Sequence, residues 1–148
     1  MPEYLEITVD KFTFRVAIDR AYSAEGVWAK AEGSRVRVGL SDFVQQRSGD
    51  AAFAEVKPVG TVLSAGDEFA EIETIKVNIS LASPVSGSIV EVNPNLASSP
   101  EAINQAPYGE GWLALIDCPD WEADRARLLD PWVYFDLMKG QAEEETRS

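Results

Sequence analysis

Polarity alternates along most of this chain with the two-residue period of β-strands, and turn-forming residues break the alternation roughly every eight to twelve positions. Tyr4, Ile7 and Val9 lead to Asp10-Lys11, a turn. Phe12, Phe14, Val16 and Ile18 then share one face, with Thr13, Arg15 and Ala17 on the other. This predicts a two-stranded ribbon within residues 1–20 that covers a sheet. Glu32-Gly33-Ser34 turns the chain into a strand from Arg35 to Leu40. Ser41 or Asp42 can cap a short helix from about Phe43 to Arg47, because either side chain accepts a hydrogen bond from the free N–H groups of a first turn. Ser48-Gly49-Asp50 ends that helix. Ala51 to Val56 and Phe69 to Ile75 read as strands, parted by breaks at Pro58 to Gly60 and at Ser64 to Asp67.

The second of these strands runs into Lys76. Leu81-Ala82-Ser83 leads out, Pro84-Val85-Ser86-Gly87 turns, and Ser88 to Val92 forms another strand. A lysine therefore stands at or near a hairpin tip, with a carboxylate, Glu73, three residues before it. The stretches around Gly60 to Asp67 and Gly87 to Asn93 are weakly alike, which predicts two similar half-sheets. Leu96 to Pro107 is a loop with one helical turn near Pro100, and Gly111 to Ile116 is a closing strand. The period then changes. Asp120 can cap a helix to about Leu129, and Pro131 can start another, with Trp132, Phe135 and Met138 at helical spacing. Helices over 120–139 and a charged flexible tail over 140–148 follow. The short, evenly punctuated strands predict an all-β sandwich or barrel.

Composition narrows the chemistry. The chain has 148 residues, enough for one domain with a proper core, and 13 basic against 25 acidic side chains give a net charge of −12. Such a protein repels phosphate backbones and anionic bilayers, which excludes nucleic acid and membrane as natural partners and favours basic proteins. No apolar run approaches a membrane span and Met1-Pro2-Glu3-Tyr4 is no leader, so a cytoplasmic protein is expected. The absence of histidine excludes Ser-His and Cys-His catalysis and His-ligated metals. A single cysteine, Cys118, builds neither a disulfide framework nor a zinc site. Any catalysis in which this chain takes part must be carried by something attached to it. A lysine on a turn can be a surface charge, a Schiff-base nucleophile or an attachment point. The nucleophile requires a desolvated pocket that a hairpin tip does not offer.

The residues resemble the lipoyl-carrying H-protein family of the glycine cleavage system from about Tyr22 to Met138. The resemblance rests on Tyr22-Ser23…Trp28, Val38-Gly39-Leu40-Ser41-Asp42, Gly49-Asp50, Val59-Gly60…Ser64-Ala65-Gly66-Asp67, Glu73-Thr74-Ile75-Lys76, Pro84 to Asn93, and Asn104…Pro107-Tyr108…Gly111-Trp112. The family pattern at the modified lysine is Glu-Ser-Val-Lys-Ala. Biotin carriers share the architecture, but their lysine lies between methionines, where this chain has Ile75 and Val77.

The resemblance implies a mainly β fold, the lipoyl-domain barrel-sandwich hybrid, with two small antiparallel sheets, a short internal helix, C-terminal helices, and a single carrier domain over residues 1–139. It implies that Lys76 bears an amide-linked lipoyl group and that Glu73 helps a lipoate-protein ligase or lipoyl transferase to recognise the turn. The chain would then be a carrier and not an enzyme. In glycine-cleavage H proteins the loaded arm folds into a polar cleft whose serine, glutamate, histidine and aspartate are matched, through the resemblance, by Glu25, Val27, Phe43 and Ser80 here. None of the four is kept. An amine cargo needs acceptors or a counter-charge when sequestered. On that ground the sequence looks more like the H-protein-like lipoate-binding proteins of sulfur-oxidising prokaryotes. Those work with a heterodisulfide-reductase-like complex and sulfur-transfer proteins, and are re-oxidised by a dihydrolipoamide dehydrogenase. The second reading is the glycine-cleavage carrier itself, serving glycine decarboxylase and aminomethyltransferase. Cys118 reads first as a small buried hydrophobe and second as a sulfur acceptor.

Overall fold

The computed structural model describes residues 3–147. The chain opens with β1 (Tyr4–Val9) and β2 (Phe12–Ala17), antiparallel about Asp10, whose φ of 58° is the left-handed conformation that aspartate tolerates in tight turns. Then come β3 (Ala21–Tyr22), β4 (Val27–Glu32), β5 (Arg35–Leu40) and α1 (Asp42–Ser48). Five strands follow: β6 (Ala51–Val56), β7 (Val62–Leu63), β8 (Glu68–Thr74), β9 (Asn78–Ala82) and β10 (Gly87–Val92). The chain ends with α2 (Ala102–Gln105), β11 (Ala114–Asp117), α3 (Trp121–Ala126) and α4 (Pro131–Arg147).

Besides the ribbon there are two antiparallel sheets. One has six strands in the order β3-β4-β5-β11-β10-β7, and the other has three, β6-β8-β9. The first is larger than the small sheet that the resemblance implies. One contiguous core draws on both: Val38, Ile89 and Ile116 from the larger sheet, Phe69, Ile72 and Leu81 from the smaller. The two stretches that look alike in sequence are hydrogen-bonded to each other, Gly60 N to Ile89 O (2.8 Å) and Ile89 N to Thr61 O (2.9 Å). In β8 the acids at 68, 71 and 73 face out while Phe69, Ile72 and Thr74 are buried. A register slip between Glu68 and Ala70 lets both Phe69 and Ala70 point inward, as a bulge does. Gly39 is required by close approach. A Cβ there would lie 2.4 Å from the Trp28 indole, which is fixed by its own N–H bond to Pro107 O.

Two expectations change. The ribbon covers helices α1 and α4 where a sheet was expected. Arg15 N donates to Asp42 Oδ2 (2.9 Å), Gln46 Nε2 donates to Thr13 O (2.8 Å), and Tyr108 Oη donates to Arg15 O (2.7 Å). The final helix does not stop near residue 139 but runs to Arg147. Gly140 costs about 1 kcal/mol relative to alanine in a helix. That cost is offset because Ala142 is buried and Arg47 pairs with Glu145 at 3.3 Å. Ser148 lies outside the described residues.

Candidate functional site

The lysine hairpin is built on β8 and β9, whose register closes at Glu73 opposite Asn78. Residues 75–77 form the loop. Its geometry is set by one hydroxyl. Thr74 Oγ1 accepts from Lys76 N (3.1 Å) and Val77 N (2.9 Å), and lies within donating distance of Ser48 O (2.7 Å) and Val77 O (2.8 Å). A threonine side chain that takes the N–H groups two and three residues on is a local turn-former, here also bolted to the end of α1. Ile75 N adds a bond to Asp50 O (3.1 Å). The loop is thus held from below while its side chains stay out: Ile75 is 75% exposed and Val77 48%.

The end of α1 is itself fixed. Ser41 caps its start, and Gly49 at its C-terminus has φ 92°, a left-handed value that favours glycine. Asn104 Nδ2 donates to Gly49 O and to Gln45 Oε1, both at 3.0 Å, and Asn104 Oδ1 accepts from Ala51 N at 2.8 Å. A Cβ on Gly49 would stand 3.0 Å from Lys76 Cδ, so the lysine methylenes lie back across the helix end. Lys76 Nζ donates to Arg47 O at 3.3 Å. Beyond it opens a groove of about 270 Å³ between the ribbon, α1 and α4, lined by Phe12, Phe14, Phe43, Arg47 and Ala142 with Glu145 at its side. The Arg47 guanidinium lies 5.0 Å over the Phe43 ring and pairs with Glu145. Glu73 faces solvent on the outer surface of the lysine-bearing hairpin.

An amide on Lys76 fits this setting. It removes the ammonium charge, keeps one N–H for the Arg47 carbonyl, and leaves an uncharged chain beside phenyl rings. By contrast, the four positions taken from the family cleft do not form one site here. Val27 is fully buried within β4, Glu25 and Ser80 are exposed, and of the four only Phe43 lines the groove. The apolar character of Val27 therefore says nothing about the cargo of an arm on Lys76, and the argument for sulfur loses its footing. Cys118 gives it no support either. The thiol is 4% exposed and donates to Asp124 Oδ2 at 3.3 Å. Burial first, then the bond to Asp124 and its charge, push it up to about 11, so at neutral pH it is a protonated thiol and a poor nucleophile. The sequence pattern predicts no part in positioning the lysine for Thr74, Gly49 or Asn104. A hydroxyl two positions before the lysine was the available signal. Among the described residues no helix is long and apolar enough to cross a membrane.

A hairpin-borne lysine on a sandwich of two antiparallel sheets is the architecture of lipoyl and biotin carriers, and Ile75 and Val77 beside Lys76 are not the methionines of the biotin carriers. The chain matches the family model of the glycine cleavage H-protein over residues 20–141, and it belongs to that family. It is 39% identical over 125 residues to the glycine cleavage system H protein of Carboxydothermus hydrogenoformans, covering 84% of this chain and 95% of that protein. It is 45% identical over 116 residues to the one from Rubrobacter xylanophilus, covering 78% and 89%. The crystal structure of a glycine cleavage system H protein from Mycobacterium marinum superposes with a TM-score of 0.71 at 32% identity, covering 79% of this chain and 94% of that one. Members of the family carry a lipoyl-lysine, and the chain is a carrier component of a multienzyme system, without catalysis of its own.

Proposed function

We propose that this chain is the H protein of a glycine cleavage system, with Lys76 as the lipoylated residue. Its partners are then the ligase or transferase that attaches lipoate, glycine decarboxylase and aminomethyltransferase, which exchange the aminomethyl group, and a dihydrolipoamide dehydrogenase. The observation that carries this reading is the exposed Lys76 on a loop clamped by Thr74 within an H-protein fold. The attached group supplies a disulfide–dithiol pair that the chain, with one buried thiol, does not have. The chain's residues do the positioning. Thr74 and Asp50 fix the loop, Ile75 and Val77 offer apolar contacts to whatever receives the lysine, and Glu73 presents a carboxylate on the same hairpin for ligase recognition. Relatives named for glycine cleavage, matched along nearly their whole length, rank this reading above the sulfur carrier.

The test is intact mass and peptide mapping of the protein from its native cells, followed by reconstitution with glycine decarboxylase and the exchange of the glycine carboxyl group with bicarbonate. A lipoyl increment on Lys76 and exchange that is lost in Lys76→Arg are expected. An unmodified Lys76, or a lipoylated protein that carries extra sulfur and supports no exchange, overturns the reading.

A further inference from the structure

We infer that the N-terminal ribbon forms one wall of a resting site for the arm on Lys76, so that this chain shields its dithiolane with residues from outside the segment it shares with the family. The inference rests on Lys76 being the lipoylated residue. The family match begins at residue 20, after the ribbon. The ribbon is nevertheless fastened, by Arg15 to Asp42, by Gln46 to Thr13 and by Tyr108 to Arg15, so the rings it carries are placed and not trailing. Phe14 meets Phe43 edge-on at 5.2 Å, and Phe12 stacks on Phe14 at 6.3 Å. Together they make a continuous aromatic surface that ends in an open ring, since Phe12 is 43% exposed. An exposed phenyl ring beside a groove is covered favourably by an apolar chain.

Lys76 already points that way. It lines the same groove, its methylenes cross Gly49, and Nζ meets the Arg47 carbonyl at the groove's edge. The groove, about 270 Å³, is near the lower end of small-ligand sites, roughly 300 Å³ upward, which suits a narrow saturated chain with a five-membered ring. Amide formation matters here because an ammonium would resist leaving water for phenyl rings, whereas an amide does not. Thr146 closes the groove from α4.

The experiment uses the full chain, lipoylated with a lipoate ligase, its modification at Lys76 verified by mass. The second-order rate at which tris(2-carboxyethyl)phosphine reduces the lipoyl disulfide is compared for wild type, Phe12→Ser, Phe12→Leu and Thr146→Trp, with free lipoamide as the exposed reference. The wild-type protein is expected to react several-fold more slowly than lipoamide. Phe12→Ser, which removes the wall, and Thr146→Trp, which plugs the groove, should each speed reduction by about fivefold by shifting the arm toward solvent. Phe12→Leu should stay near wild type. Phe12 and Thr146 are exposed, so the fold should survive both changes, and thermal midpoints check this. Wild-type reduction as fast as lipoamide, or variants as slow as wild type, overturns the inference while leaving the carrier reading intact. A lipoyl group absent from Lys76 overturns both.

Discussion

At the scale of single residues, Lys76 owes its presentation to Thr74. Thr74→Val keeps the shape but leaves Lys76 N and Val77 N without their acceptor and Ser48 O without a donor. Unmade bonds at a partly buried site cost about 1–3 kcal/mol. The expected result is a loss of that size in denaturant unfolding, with Thr74→Ser close to wild type; an unchanged midpoint for the valine variant would show that the hydroxyl is dispensable. Cys118 makes a pH prediction. Its folded thiol is raised from an ordinary value of 9.0 to about 11, so above pH 9 the unfolded chain releases a proton that the folded chain keeps. Stability is then full below pH 9 and falls as pH rises toward 11. Cys118→Ala should flatten that slope, and the wild-type thiol should react with iodoacetamide only on unfolding. The placement of Lys76 in a hairpin loop, with Glu73 exposed on the same hairpin, was legible because the alternation points to a turn there. The partners of Thr74 were not, since Ser48 is 26 residues away in sequence and the contact exists only after folding. The positions matched to the family cleft have the same limit: that Val27 is buried while Glu25 and Ser80 are exposed is visible only in the folded chain.

At the scale of elements, the strands were legible wherever one face is buried and the other wet, as in β8 with its exposed acids and buried Phe69 and Ile72. Helix α1 could be read from its caps, Ser41 and Gly49. The end of α4 could not, because the charged residues past 140 read as a tail while the burial of Ala142 and the pairing of Glu145 with Arg47 are tertiary. This gives a truncation test. Removing residues 141–148 deletes the buried Ala142 methyl and the half-exposed Arg47–Glu145 ion pair among its contacts, so stability should drop by about 1–2 kcal/mol or more. The groove beside Lys76 would lose its α4 side at the same time. A truncated chain as stable as the full one would mean that the last two turns of α4 contribute nothing to the fold. The ribbon shows the converse limit. Its alternation was plain, but which surface it covers depends on Asp42, Gln46 and Tyr108, none of which lies near it in sequence.

At the scale of the whole molecule, the net charge of −12 acquires a location. The outer face of the lysine-bearing sheet carries Glu68, Glu71 and Glu73 on β8 and Glu55 on β6, and Glu55 stands directly across from Glu71. Like charges facing each other on adjacent strands destabilise a sheet, by roughly 0.2–1 kcal/mol per pair. Their repulsion gains the fold nothing, but a carrier that must find several larger enzymes quickly and leave them again profits from a field around its arm, because charge raises encounter rates more than it lengthens residence. Two opposite effects of one substitution follow. Glu71→Gln should raise stability by a few tenths of a kcal/mol and should slow association with the decarboxylase and the aminomethyltransferase. Raising salt from about 0.01 to 0.15 M shortens the Debye length from about 30 to about 8 Å and should slow the wild type more than the variant. Stopped-flow association at several salt concentrations measures this. Rates independent of both salt and Glu71 would mean that the acidic face keeps the protein soluble and steers nothing.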